Sequence, residues 1–325
     1  MAPPPVTLQV NVAPTDLPHA RHTLPHQLRQ WAGQVTEVLF TFDLHRTAKG
    51  GRFGEGFEQR LAPMRELLDE LCATHPHARV EEVDYGAEHM HALASQLLGG
   101  AEMPAKDTKG APFYPYFHGL LGASNELVLH LDSDMMFGGG SQSWVAEACE
   151  LISSDERVLA CNPYPGPPAP AAPERRPPAR NAEPYPALPN AFRFDSFNTR
   201  LYLIDRARMR ERLAPLTLSG PIRLLSRVKA RLHGNPPFAA AEIVVGQAML
   251  AAGMFRVDLL GREPGMWSLH PPYRSAEFYR ELPRLIEQVE TGRVPAAQLG
   301  DYELGDAMLD WTRARRRAKL RRIWA

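Results

Sequence analysis

At 325 residues, with 44% hydrophobic and 23% charged side chains, the chain is long enough to bury a large core and reads as a soluble globular protein. Its 37 basic and 37 acidic residues cancel, which excludes the broad positive field of a non-specific nucleic-acid binder, so any charged partner must be met locally. The cysteines Cys72, Cys149 and Cys161 are odd in number and form no CxxC, which argues against a disulfide framework or zinc ribbon and for a reducing cytoplasm.

The opening MAPPPVTLQVNVAP lacks the basic segment and continuous apolar run of a signal peptide. VTLQVNVA at 6–13 alternates and is rich in β-branched residues, which predicts a first strand stopped by Pro14. Leu17, Leu24, Leu28 and Trp31 then recur at helical spacing, with Thr23 expected to cap a fresh start that leaves Pro25 in a first turn, and Gly33 ending the helix. VTEVLFTF at 35–42 is a second strand ending on Asp43, followed by a polar loop to Gly56. Its GRFGEG at 51–56 has the wrong spacing for a dinucleotide fingerprint. Helical periodicity at 57–74, a short strand at 80–83 and helices near 89–98 and 113–121 continue the alternation. Such alternation implies an α/β fold with a mainly parallel sheet, helices on both faces and right-handed crossovers.

NELVLHLDSDMMFGGG at 125–140 is the most informative stretch. Its apolar strand ends in Asp132 and Asp134, one residue apart and followed by a glycine-rich turn. Strand period is two, so both carboxylates are expected on one side, with Ser133 as a mere spacer. Two like charges side by side repel unless something positive lies between them, which points to a metal or metal-nucleotide site. In an open parallel sheet ligands bind beyond the carboxyl ends of strands, so Asp43 can face the same crevice.

Beyond this turn a helix is expected at 143–153 and a strand at 158–161. The eleven prolines between Asn162 and Asn190 predict an extended loop, either a lid or a solvated excursion. A strand or hairpin at 191–204, a basic helix to 213 and another at 224–232 come next. The 239–252 helix is almost wholly apolar, and the run 238–255 is too interrupted by Glu242 and Gln247 to span a bilayer. A strand at 255–260 and helices from 276 close the chain.

The order of these elements resembles the GT-A glycosyltransferases, most closely their large inverting group often called family 2: a strand ending in Asp43, a strand ending in Asp132-Ser133-Asp134, and Ala241-Glu242 heading a helix that stops at Gly253. The resemblance covers residues 6–272 and implies one GT-A domain over 1–275, with a nucleotide-binding half at 6–135 and an acceptor half at 136–275. Residues 276–325 would be a helical extension. It implies transfer of a sugar from a nucleoside-diphosphate donor, a UDP-sugar first among them, to a hydroxyl on a glycan or lipid-linked acceptor. A divalent cation, Mn²⁺ or Mg²⁺, would be held by Asp132, Asp134 and His270 of WSLHPP, with Asp132 also serving as a ribose or water-mediated contact. Asp43 would contact the nucleoside and Lys109 the diphosphate; a turn aspartate and a solvated loop lysine are the bland alternatives. Glu242 would be the general base. The family ends its acidic pair at this position in Asp, so the glutamate departs from the pattern. A carboxylate opening an apolar helix is partly desolvated and its pKa raised, which suits that role, although a favourable helix N-terminal charge is the other reading.

Choice of sugar, base and acceptor is expected in loops such as 163–189 and around Asp195, Asn198 and Arg200. The last segment, WTRARRRAKLRRIWA, holds seven basic residues and offers either a solvated tail or an electrostatic contact with the inner face of a membrane. Two other functions share parts of the pattern. A haloacid-dehalogenase-like phosphohydrolase also follows an apolar strand with DxD, but near its N-terminus and with a Thr or Val where Met136 stands. A non-catalytic nucleotide-sugar binder is the other.

Overall fold

The computed structural model describes residues 4–46, 56–169, 182–219, 224–232 and 234–324. The first half carries β1 (Val6–Val12), α1 (Leu17–Trp31), β2 (Glu37–Phe42), α2 (Phe57–Thr74), β3 (Ala78–Glu82), α3 (Ala87–Leu98), α4 (Tyr114–Gly122) and β4 (Leu127–Asp132). The middle adds β5 (Met136–Gly138), α5 (Trp144–Ser154), β6 (Val158–Pro165), β7 (Glu183–Pro184), β8 (Ala191–Phe194), β9 (Leu201–Asp205) and α6 (Arg206–Leu213). It closes with α7 (Leu224–Leu232), α8 (Ala241–Ala251), β10 (Phe255–Leu259), β11 (Trp267–Leu269), α9 (Ala276–Glu290) and α10 (Thr312–Trp324).

The strands are hydrogen-bonded in the order β3-β2-β1-β4-β9-β6-β10-β8-β7, and β5 and β11 branch from β6. β3, β2, β1 and β4 run parallel, as do β6 and β10, whereas β9 runs antiparallel between β4 and β6. This is the mixed, mainly parallel α/β sheet with helices on both faces that the alternation of elements predicts.

Strand β1 shows why both faces need cover. Val6, Leu8, Val10 and Val12 enter one core with Leu24, Leu28 and Trp31 of α1 and Met64 and Leu68 of α2. Each such side chain contributes about 1.5–3 kcal/mol when fully buried. The opposite face is polar although buried. There Gln9 Nε2 donates to Asn11 Oδ1 and Thr41 Oγ1, 2.8 Å each, and Gln9 Oε1 meets His130 Nδ1 on β4. Helix α4 rides over these groups through Gly119, where a Cβ would come within 2.6 Å of Thr41 Oγ1. Around this polar strip Phe113, Phe117 and Leu120 join α3 and α8 in a second core.

Four local expectations are corrected. Helix α1 runs unbroken through Pro25, and Thr23 caps nothing: its hydroxyl donates to His19 O at 3.0 Å and to Ser133 O at 2.5 Å. Tertiary contacts outweigh the proline here. The 191–204 stretch is no hairpin, because β8 pairs with β10 and β7 while β9 lies between β4 and β6. Prolines do not end β6 at Cys161. Pro163 and Pro165 alternate with Tyr164 and Gly166, whose N–H groups donate to Met266 O (3.1 Å) and Ser268 O (2.9 Å), so the strand continues on the N–H groups of the intervening residues. The glycine-rich turn contains a strand, β5, whose Gly138 lies under the Trp267 ring where no side chain would fit. The rest of the proline-rich stretch, 170–181, and most of GRFGEG fall outside the described residues.

Residues after 275 pack on the body. Ser275 Oγ caps α9 by accepting from the Phe278 N–H (3.2 Å), and Phe278, Leu282, Leu285 and Val289 form a third core with Trp267 and Trp311. Glu290 of α9 accepts from His26 Nδ1 and Arg29 Nη2, 2.7 Å each. Among the described residues no helix is long and apolar enough to cross a membrane.

Candidate functional site: a carboxylate-lined crevice

Beyond the carboxyl ends of β1, β2 and β4 lies a crevice of about 410 Å³. Asp43, Lys109, Asp132, Asp134, Glu242 and His270, the six residues singled out in the sequence, all line it. So do Asp16, Lys106, Arg200 and Arg274, which bring in charges that motif reading alone does not supply.

The Asp132-Ser133-Asp134 turn is clamped from below by the polar stripe of α1. His19, Thr23 and Gln27 recur four residues apart and are buried. His19 Nε2 lies 3.0 Å from Ser133 Oγ, Thr23 binds Ser133 O, and Gln27 Nε2 donates to Asp132 O and Met135 O, 3.0 Å each. From the next turn of α1, His26 Nε2 accepts from the Phe137 N–H at 2.8 Å. Ser133 is therefore an anchor rather than a spacer. Because the strand ends at Asp132, two-residue periodicity does not govern Asp134, which takes its direction from this turn.

The two carboxylates have different surroundings. Asp132 is half-buried: its N–H donates to Arg200 O at 2.7 Å, and its Oδ1 accepts from the Tyr116 hydroxyl at 3.1 Å with His130 Nε2 3.6 Å away. Asp134 is only 2% exposed, and its Oδ2 receives both Nε and Nη2 of Arg274 at 2.9 Å. Arg274 Nη1 reaches Asp16 Oδ1 at 3.0 Å. Burial by itself would raise the Asp134 carboxyl; Arg274, with His270 and His19, holds it well below the usual range. Asp134 Oδ1 remains buried without a hydrogen-bond partner.

Asp43, 5% exposed, ends β2 and is held on every side. Its Oδ2 accepts from Lys106 Nζ at 2.9 Å, and its Oδ1 from the Tyr85 hydroxyl (2.8 Å) and the His45 N–H (2.9 Å). Lys106 is buried with it. Lys109, three residues on, is exposed at the rim, its N–H accepted by Asp107 in a tight turn at 2.8 Å. The lysine that neutralises a carboxylate and the lysine free to meet a ligand are thus different residues.

Glu242 stands in the first turn of α8, exposed to the crevice and without a hydrogen-bond or ion-pair partner among the described residues. Crowding by surrounding protein raises its pKa, and nearby Asp132 adds to the rise, while Arg200 and Arg256 oppose it. The direction agrees with the expectation from an acid heading an apolar helix. The Arg200 guanidinium, which also lines the crevice, has no hydrogen-bond or ion-pair partner among the described residues either.

His270 follows β11. Its backbone is pinned to the C-terminal segment by His270 N–H to Tyr302 O (3.0 Å) and Leu304 N–H to His270 O (2.9 Å). Its Nδ1 lies 3.1 Å from Glu303 Oε1 and its Nε2 4.0 Å from Asp134 Oδ2. A carboxylate at Nδ1 selects the tautomer whose Nε2 lone pair faces Asp134. Even so, among the described residues no three histidine, cysteine or carboxylate side chains converge tightly enough to hold a metal ion as the chain stands, because Arg274 takes the Oδ2 of Asp134.

The fold and crevice together define an α/β protein with a charged binding cleft at its strand ends. Neither a protein-family model nor a curated protein sequence matches the chain. Among solved structures it is similar to the mannosyltransferase PcManGT of Pyrobaculum calidifontis in complex with GDP-Man and Mn²⁺, at 16% identity over 73% of this chain and 57% of that one, with a TM-score of 0.32. It is also similar to TarS 1–349 of S. aureus in complex with UDP-GlcNAc, at 12% identity over 87% of this chain and 65% of that one, with a TM-score of 0.40. The chain thus spans less than two thirds of the length of either.

Proposed function

We propose that the chain is a GT-A-type glycosyltransferase that moves a sugar from a nucleoside diphosphate to a hydroxyl acceptor with inversion. The supporting observation is that Asp43, Asp132, Asp134, Glu242 and His270, drawn from residues 43 to 270, line one crevice. In this reading Asp43, fixed by Lys106 and Tyr85, offers the nucleoside a rigid acceptor wall. Lys109 and Arg200, the two cations of the crevice lining for which no ion pair forms among the described residues, face the diphosphate.

The charge balance supports a divalent cation. Asp16, Asp43, Asp107, Asp132, Asp134 and Glu242 line the crevice against Lys106, Lys109, Arg200 and Arg274, leaving two negative charges in excess with the histidines neutral. Such a lining repels a diphosphate on its own. Asp132, Asp134, whose Oδ1 is without a partner, and His270 would hold the ion once Arg274 yields Asp134 Oδ2, and their oxygens and one nitrogen suit Mn²⁺ or Mg²⁺. When bound there, the ion supplies neutralisation of the diphosphate and of the leaving group.

Glu242 carries the proton chemistry. Its carboxylate takes the proton from the acceptor hydroxyl as that oxygen bonds to the anomeric carbon, and the bond from that carbon to the diphosphate oxygen breaks on the opposite side. Nucleoside diphosphate leaves with the electron pair, and the configuration inverts. No observation favours the phosphohydrolase or the binding-only reading over this one.

The test is transfer from a panel of UDP-, GDP-, CDP- and dTDP-sugars to glycan and lipid-linked acceptors, with Mn²⁺ and with chelator. Product that depends on the metal and on Asp134 is expected. Activity untouched by chelator would overturn the cation, and release of phosphate from a generic aryl phosphate without transfer would overturn the reading itself.

A further inference from the structure

Helix α7 has the wrong surface for a helix exposed to water. Leu224 and Leu225 are 75% exposed, Leu232 72% and Val228 48%. Among the described residues only three other large apolar side chains, Ile243, Leu250 and Leu320, are comparably exposed, so a single nine-residue helix holds four of the seven that stand out there. The distribution around the helix is ordered. At 100° per residue Leu224, Val228, Leu232 and Leu225 fall within one sector about 100° wide. Ala230, 1% exposed, lies on the opposite side against the protein. Arg227 and Arg231, both exposed, border the apolar sector.

Charge says what covers this face. From Leu213 to Ala241 the sequence contains Arg223, Arg227, Lys229 and Arg231 and no aspartate or glutamate, within a chain whose net charge is zero. An apolar sector edged by arginines, in a segment without acids, matches an interface between acyl chains and anionic headgroups. A second copy of the chain would set Arg227 and Arg231 against their own equivalents with no acid in the segment to answer them.

The helix is also tied to the crevice. Asn235 N–H donates to Ala230 O at 2.8 Å, and Thr108 N–H donates to Phe238 O at 2.9 Å, which joins the end of α7 to the loop bearing Lys106 and Lys109. Ala240, eight residues beyond Leu232, already lines the crevice. Helix α10, the other basic segment, spends part of its charge within the protein: Arg315 pairs with Asp306 at 2.8 Å and Arg313 with Glu277 at 3.7 Å.

We propose that α7 is a membrane-surface helix that seats the protein on an anionic phospholipid bilayer, with Leu224, Leu225, Val228 and Leu232 entering the acyl boundary and Arg227 and Arg231 meeting the headgroups. The site is independent of the sugar-transfer reading, since docking is measured without catalysis. The experiment is co-sedimentation of the full chain with vesicles of phosphatidylcholine alone and of phosphatidylcholine with phosphatidylglycerol, at low and high salt, with the oligomeric state followed by light scattering. Binding to the anionic vesicles, weakened by salt, is expected. The exposed-site variants L224Q/L232Q and R227E/R231E should each reduce it by about tenfold or more, and R316E/R317E on α10 should leave it within about twofold. Wild-type protein that stays in the supernatant overturns the proposal. So does binding lost in R316E/R317E but kept in both α7 variants, or a dimer that L224Q/L232Q dissociates in the absence of lipid.

Discussion

Arg274 meets Asp134 with two nitrogens at once, Nε and Nη2 of the guanidinium both 2.9 Å from the same carboxylate oxygen, Oδ2. The pair occupies the side of Asp134 nearest His270 Nε2 and leaves Oδ1 unpartnered. Arg274 thus performs in the chain alone part of the neutralisation that a bound cation would perform.

Replacing Arg274 by glutamine leaves Asp134 and Asp16 short of a partner in a largely buried site. Because the arginine side chain is itself about one third exposed, a loss of about 2 kcal/mol is expected, below the 3–5 kcal/mol of a fully buried pair. Added Mn²⁺ should raise the melting temperature of this variant more than that of the wild type, since the cation fills the same deficit. Thermal denaturation with and without metal measures both. Equal metal-induced shifts would mean that Arg274 and the cation do not share Asp134.

Glu242 separates chemistry from binding. With Glu242→Gln the turnover number should fall by about 10²–10⁴-fold while donor KM stays within a few-fold. The wild-type rate should decline on the acid side through a pKa above the ordinary glutamate value, because the base must be ionised and desolvation by the surrounding crevice raises its pKa. That acid limb should vanish in the variant's residual activity. Steady-state kinetics against pH decide it, and wild-type turnover in the glutamine variant would remove Glu242 as the base.

Lys106 and Lys109 should behave oppositely. Lys106→Ala strands the buried Asp43 carboxylate with only its Tyr85 and His45 donors and should cost about 3 kcal/mol by chemical denaturation. Lys109→Ala, at the exposed rim, should change stability by no more than about 0.5 kcal/mol and act on donor KM instead. A destabilised Lys109 variant beside an unaffected Lys106 variant would reverse the two roles.

His19 makes stability depend on pH well above the carboxylate range. Burial first, and then Arg274, lower its pKa to about 4 from the ordinary 6.5. The unfolded chain therefore takes up this proton before the folded one, and stability falls as pH drops from 6.5 toward about 4, by at most about 1.4 kcal/mol per unit. His19→Gln should flatten that part of the profile. The depressed Asp134 carboxyl adds a further loss at lower pH still, below the ordinary carboxylate value. Urea midpoints measured across this range in the absence of metal are the check.

The alternation of apolar strands and amphipathic helices determined the α/β class, because burial on both faces of a sheet leaves its period in the order of residues. Strand-end acids were legible for the same reason: Asp43 and Asp132 terminate largely apolar strands, and Glu242 opens a largely apolar helix. Local pattern also misled, since Pro25 and Pro163 read as breaks, yet α1 runs through the first and β6 through the second, each held by contacts from elsewhere in the fold. The polar stripe His19, Thr23 and Gln27 was written in the chain at helical spacing, but its meaning depended on the turn at Ser133, more than a hundred residues away. Only the tertiary structure decided which charges pair. Lys106 rather than Lys109 meets Asp43, and Arg274 rather than a second carboxylate meets Asp134, because an ion pair is set by distance across the fold, on which spacing along the chain is silent.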